Sequence, residues 1–223
     1  MISWTIDNRP SYTVLKVKLD PGDSVTSEGG AMMAMKGDVE VKTSTGGMRG
    51  AILRGLAGGE SLFLNTFSTR TGGEIWLVPP MPGDVEYIPL NNEGYLIQDT
   101  SYLAHHGDVK VSVGWMGVKG VLAEGQFVWL SVKGTGGVWV NSFGAIEKVE
   151  LQPHEKVSVD NFHFVAMPEN TKWSVRKFGG WKSFLLGGEG IIFDVEGPTR
   201  IYLQTRVLPL FAELLAPYLP RQR

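Results

Sequence analysis

Three carboxylates recur at matching places in this chain, and their spacing raises the first question of chemistry. Nine residues on from Leu19, Leu90 and Leu151 stand Glu28, Asp99 and Asp160. If the segments carrying them were related by a threefold axis, acids close to that axis would crowd. They would then raise one another's proton affinity and could bind a cation or share protons. Acids far from the axis would only end strands or accept turn hydrogen bonds, which is the plainer expectation.

The other chemistry-bearing groups are sparse. The histidines are His105, His106, His154 and His163. A metal site needs imidazoles or carboxylates that converge. Adjacent His105 and His106 would point to opposite faces of a strand, and no His-x-His pair exists. No metal or other cofactor is therefore expected. The chain has no cysteine, which excludes thiolate catalysis and disulfides. There is no Gly-x-Ser-x-Gly elbow, and no catalytic residue is assigned. The stretch GGMRGAILRGLAGGES resembles a phosphate loop only in its glycines, because it lacks the Gly-Lys-Ser/Thr ending that holds phosphate and magnesium. It reads as a connector carrying Arg49 and Arg54. The candidates for a ligand site or interface are thus Glu28, Asp99, Asp160, His105, His106, His163, Arg49 and Arg54. Of seven tryptophans, most fall in strand-like runs and are expected in the core. Trp115 and Trp181, in Gly-rich stretches, could instead stack on a sugar, a membrane surface or another subunit.

The elements that must position these groups come in threes. VKLDPGDSVTSEGGAMMAM, IPLNNEGYLIQDTSYLAHH and VELQPHEKVSVDNFHFVAM share Val25, Leu96 and Val157, then the acids, then Ala34, Ala104 and Ala166. Downstream, Glu60, Glu124 and Glu189 lie 64 and 65 residues apart in similar Gly/Glu turns. Each turn is followed by a β-like run, a Gly- or Pro-containing turn and another strand. Internal periodicity of this kind constrains architecture strongly. It predicts three pseudo-repeats, approximately 10–80, 81–142 and 143–205.

Period-two alternation marks the strands. In TVLKVKL it sets Leu15, Val17 and Leu19 opposite Val14, Lys16 and Lys18, and in DVKVSVGW it aligns Val109, Val111 and Val113. Near the end, Leu208, Phe211, Leu214 and Leu215 have helical spacing. Pro209 fits a first turn, and Pro217 and Pro220 close the far end. A helix is predicted at roughly 208–217, as a cap on the sheet or a partner contact. Shorter helical turns are expected at Met48–Leu56, Val118–Leu122 and Trp181–Leu185.

Bulk composition is that of an ordinary soluble protein: 43% hydrophobic, 20% charged, net charge −2. That charge argues against a nucleic-acid partner. The opening MISWTIDNRPSY lacks the basic and apolar regions of a signal peptide, and no run approaches the ~20 apolar residues of a membrane span. A cytoplasmic protein is expected. No linker or low-complexity stretch divides the chain, so residues 1–223 read as one domain.

RGLAGGESLFLNTFS, GGEIWLVPPMPGDVEYIPL and TSYLA, with GGEGIIFDVEGPTRIYLQTR and a Pro-containing helix ending in PYLP, resemble the family typified by altered inheritance of mitochondria protein 24. The likeness runs over essentially the whole chain. It implies an antiparallel β fold like that of the tryptophan RNA-binding attenuation protein, in fold only. It brings no catalytic residues. The combined expectation is an all-β, antiparallel sandwich or prism with three pseudo-repeats and a short C-terminal helix. Its expected role is that of a non-enzymatic scaffold or interaction protein that forms a homo-oligomer. The alternatives are a small-molecule or carbohydrate binder, with or without enzymatic activity, and a peripheral membrane protein.

Overall fold

The computed structural model describes residues 2–44, 63–116, 128–177 and 191–219. The alternation expected in the first strands is what the backbone uses. In β2 (Val14–Leu19) Leu15, Val17 and Leu19 are buried. Lys16 faces outward, 2.8 Å from Asp7 on β1 (Ser3–Asp7) and 4.7 Å above the Trp76 ring. The strand β1, which the repeat spans placed outside the first unit, pairs antiparallel with β2. A turn leads from β2 to β3 (Ser24–Glu28), then β4 (Met32–Ser44) forms a long hairpin with β5 (Leu64–Leu77). β2 lies against the second half of β5 and β3 against its first half.

In the middle of the chain the strands are longer. β6 (Val85–Gln98) spans the work of two strands, and β7 (Tyr102–Met116) and β8 (Val128–Asn141) make the hairpin. The hairpins bend at glycine pairs, Gly37 opposite Gly73 and Gly107 opposite Gly136. Gly107 has φ +85°, and a Cβ there would lie 2.4 Å from the Thr135 carbonyl oxygen. Only glycine permits that approach.

In the last third, the bend becomes a break. β9 (Ile146–Leu151), β11 (Phe164–Pro168) and β14 (Thr199–Gln204) remain in the large sheet. β10 (Lys156–Asp160), β12 (Lys172–Lys177) and β13 (Ile191–Glu196) form a separate three-stranded sheet. Pro168 and the Gly197-Pro198 turn fall at the division, and a proline has no N–H with which to continue a ladder. The large sheet has eleven strands, in the order β1-β2-β5-β3-β7-β8-β6-β11-β14-β9 with β4 on β5. Every named ladder is antiparallel. Among the described residues the large sheet does not close into a barrel.

Three registers coincide in detail. A bulge lies just ahead of Ala34, Ala104 and Ala166, which then pair with Trp76, Trp139 and Tyr202. A small residue opposite a large ring lets the ring lie across the neighbouring strand. The core has three apolar clusters, around Trp139 and Phe67, around Tyr102 and Leu130, and around Trp129 and Phe193. The C-terminal helix α1 (Leu208–Leu215) stands close to the expected limits, with a single 3-10 turn at Ala216–Tyr218 after it. The helical turns expected at Met48–Leu56, Val118–Leu122 and Trp181–Leu185 lie outside the described residues, as do Arg49, Arg54 and Trp181.

Candidate functional site

Among the described residues, strongly perturbed titratable groups gather where β3 meets β7. Thr26 pairs with His105 and Ser27 with Ala104, which carries Glu28, at the end of β3, toward the start of β7. Burial pushes the Glu28 carboxyl up to about 8, and the charge of Asp99 adds to the rise. Asp99 opens the 3-10 turn that leads into β7, and its carboxylate accepts a hydrogen bond from the Thr100 N–H at 3.0 Å. Tyr102 follows, fully buried, with its hydroxyl 2.6 Å from Nδ1 of His105 and 3.4 Å from the Thr26 carbonyl oxygen. Burial, aided by Glu28, raises the Tyr102 phenol well above its ordinary value. Burial pulls His105 down to about 4, and neighbouring His106 adds to the fall.

At neutral pH these values make Glu28 protonated, Tyr102 protonated and His105 uncharged. Glu28, Tyr102 and His105 are therefore each uncharged, which is how a low-dielectric site tolerates buried ionisable groups. A carboxylic acid titrating near 8 can give or take a proton at physiological pH. Among the described residues no group of three His, Cys, Asp or Glu could hold a metal ion.

His106 faces the other way, as adjacent strand residues must. It stacks on Tyr87 at 5.9 Å, shares a 3.0 Å hydrogen bond with the Tyr87 hydroxyl and touches Trp139 and Trp4. Asp160 caps the turn after β10, accepting from the Phe162 N–H at 3.1 Å, and His163 bonds the Gln204 carbonyl oxygen at 2.6 Å. Tyr102 thus joins His105 by a hydrogen bond and Glu28 by charge, and Asp99 acts on Glu28 by charge. His106, Asp160 and His163 each have local partners instead. Trp129 and Trp139 are buried, while Trp4, Trp76 and Trp173 are half-buried.

Sequence reasoning missed Tyr102, and it missed a second polar centre where three turns meet. The Asp84 N–H reaches the Gly144 carbonyl at 3.0 Å, and the Thr13 N–H reaches that of Gly83 at 3.3 Å. Arg9 grips buried Asp84 through two nitrogens, at 2.8 and 2.9 Å, and reaches Glu86 at 3.0 Å. Lys148 holds the same Glu86 oxygen at 2.8 Å. The signal was present in PGDVEYI as two acids in an otherwise apolar strand start, but nothing local names their partners.

The remaining surface has two features. A cleft beside β10, β12 and β13 is lined by Lys156, Lys172, Trp173, Asp194 and Glu196. Helix α1 contributes no buried residue: Leu208, Leu210, Phe211, Leu214 and Leu215 are 51%, 57%, 38%, 68% and 39% exposed. Phe211 touches Phe143 edge-on at 5.5 Å. No helix among the described residues is long and apolar enough to cross a membrane.

Residues 4–206 match the family described as mitochondrial biogenesis AIM24. The chain belongs to the AIM24 family. It is similar to an uncharacterised protein of Streptococcus pyogenes serotype M6, 29% identical over 227 residues that cover 97% of this chain and 91% of the relative. A crystal structure of a Streptococcus pyogenes protein superposes with a TM-score of 0.81 at 28% identity, covering 98% of this chain and all of that one. The AIM24 match ends at residue 206, one residue short of helix α1.

Proposed function

We propose that this AIM24-family chain is a non-enzymatic interaction protein that assembles with copies of itself, helix α1 supplying one contact. The observation that carries the reading is the helix. Five of its eight residues are large and apolar, and none is buried. A helix with its apolar side in water gains nothing from packing, so an occupant for that side is the simplest reason for its composition. Tyr218 and Leu219, 83% and 62% exposed, extend the same surface.

The finer architecture belongs to this proposal: one domain of three related units of pseudo-threefold arrangement, similar in fold to the tryptophan RNA-binding attenuation protein, working in the cytoplasm. The thrice-repeated bulge, alanine and aromatic pairing supports the units. So do the left-handed residues Gly22, Asn92 and His154, three or two places after Leu19, Leu90 and Leu151. Two of those turns share their bonding too. Asp20 donates its N–H to the Asp23 carboxylate, and Gln152 to that of Glu155. A small-molecule site has less behind it, since the cleft beside Trp173 holds none of the acids or histidines that the sequence singled out.

Light scattering coupled to size exclusion tests the reading. An assembly is expected for the chain, and a smaller mass for Leu214→Glu, whose side chain is exposed and whose replacement should leave the fold unchanged. A 24.4 kDa monomer at micromolar concentration overturns it. Flotation of the chain with anionic vesicles, with no change of mass in solution, would replace self-contact by a membrane surface.

A further inference from the structure

Two internal junctions of this fold are built alike, and among the described residues no third ladder of this kind is formed. The start of β7 pairs on one side with β8 and on the other with β3, through Ala104, His105 and His106. The strand β11 pairs with β14 and, through Ala166, Met167 and Pro168, with β6. Among the described residues, β4 pairs only with β5, and β10 only with β13. By the positions of the three bulges, Met32 corresponds to Tyr102 and Phe164. Those two are 0% exposed and Met32 is 40% exposed. Met33 and Met35 beside it are 57% and 44% exposed.

The missing ladder would need the start of β4 on one side and β10 on the other. Both segments exist, yet in one chain they stand in different sheets. An unpaired edge presents a row of free N–H and C=O groups that template another strand. The partner type is set by the two completed junctions. A strand that ends at Glu28 or Gln98 lies antiparallel to the strand that starts at Tyr102 or Phe164, and β10, which ends at Asp160, is the third member of the first set. We infer that the edge Met32–Lys36 of β4 docks β10 of a second copy of this chain, antiparallel, in a head-to-tail contact. Such a contact uses different surfaces on the two partners, so it propagates until a ring closes. Flexible, polarisable methionines suit a face that must repack on a partner. The inference rests on the self-association proposed above and names a surface other than helix α1.

Because the chain has no cysteine, introduced thiols report without interference. Met35→Cys and Ser158→Cys are made separately, each checked for an unchanged thermal melt, then mixed and treated with a short bismaleimide. The expected result is a covalent species of twice the chain mass from the mixture and at most a tenth as much from either variant alone. Three results overturn the inference: no cross-link in the mixture, equal cross-linking of Met35→Cys alone, or a double variant that links only within one chain. Light scattering on the same samples separates the two ideas. A monomer removes both, whereas an assembly without the cross-link removes only the β4–β10 pairing.

Discussion

Glu28 and His105 lie on neighbouring strands and pull stability in opposite directions with pH. Glu28 binds its proton more tightly folded than unfolded, since its value rises from 4.5 to about 8. Its favourable contribution is complete below 4.5 and drains away as pH rises to about 8. His105 falls from 6.5 to about 4, so its contribution is complete above 6.5 and is lost as pH falls to about 4. Replacing Glu28 by Gln removes the first effect and leaves the second. The stability difference between Glu28→Gln and the parent chain should therefore grow in the variant's favour from pH 5 to pH 8, by about 1 kcal/mol per pH unit after allowance for partial exposure. Urea midpoints at four pH values measure it, and a difference independent of pH would show that Glu28 is solvated and ordinary. The acid was legible in the sequence because it recurs at a fixed offset in three segments. Its environment was not. That depends on Tyr102, an aromatic in a strand start like many others, and on the pairing of β3 with β7, which joins residues about 80 apart in the chain.

At the scale of elements, alternation told which side of β2 and of the second half of β7 would be buried, because one face of each of these stretches meets the core. Helix α1 was equally plain, with its apolar spacing and a proline in its first turn. What the sequence left hidden was how turns lock together, since the lock is made between segments remote in the chain. Gly83 is the sharpest case. A Cβ there would lie 1.6 Å from the Ser142 carbonyl oxygen, inside any permitted contact. Gly83→Ala should cost about 3 kcal/mol or more, because the backbones must separate and the Thr13 and Asp84 hydrogen bonds must stretch. Arg9→Met probes the same lock by charge. It leaves Asp84 buried with its hydroxyl and amide donors but without its guanidinium, and should cost about 2 kcal/mol. Chemical denaturation of both variants checks this, and a midpoint unchanged in Gly83→Ala would mean that the three turns do not meet as described.

At the scale of the molecule, the hydrophobic interior and the exposed apolar surface are separate parts of the chain. The buried residues of the three apolar clusters are mostly strand residues, from Leu15 in β2 to Tyr202 in β14, with a few from the connecting segments, and α1 adds none. The last buried apolar residue among those described is Val207, 6% exposed. The sheet should therefore fold without the residues beyond Val207. Among the described residues, a chain ending there gives up the Phe143–Phe211 ring contact, about 1 kcal/mol, and no buried side chain, and should melt within a few degrees of the full chain. Its mass in solution should fall if α1 is a subunit contact, and its vesicle binding should vanish if the helix meets a membrane instead. A truncated chain that cannot fold would mean that α1 covers part of the core. The helix would then be a cap on the sheet, as one reading of its sequence allowed. The β4–β10 edges would be left as the remaining surface for assembly, so the same truncation assigns the apolar helix either to the fold or to the contacts between copies.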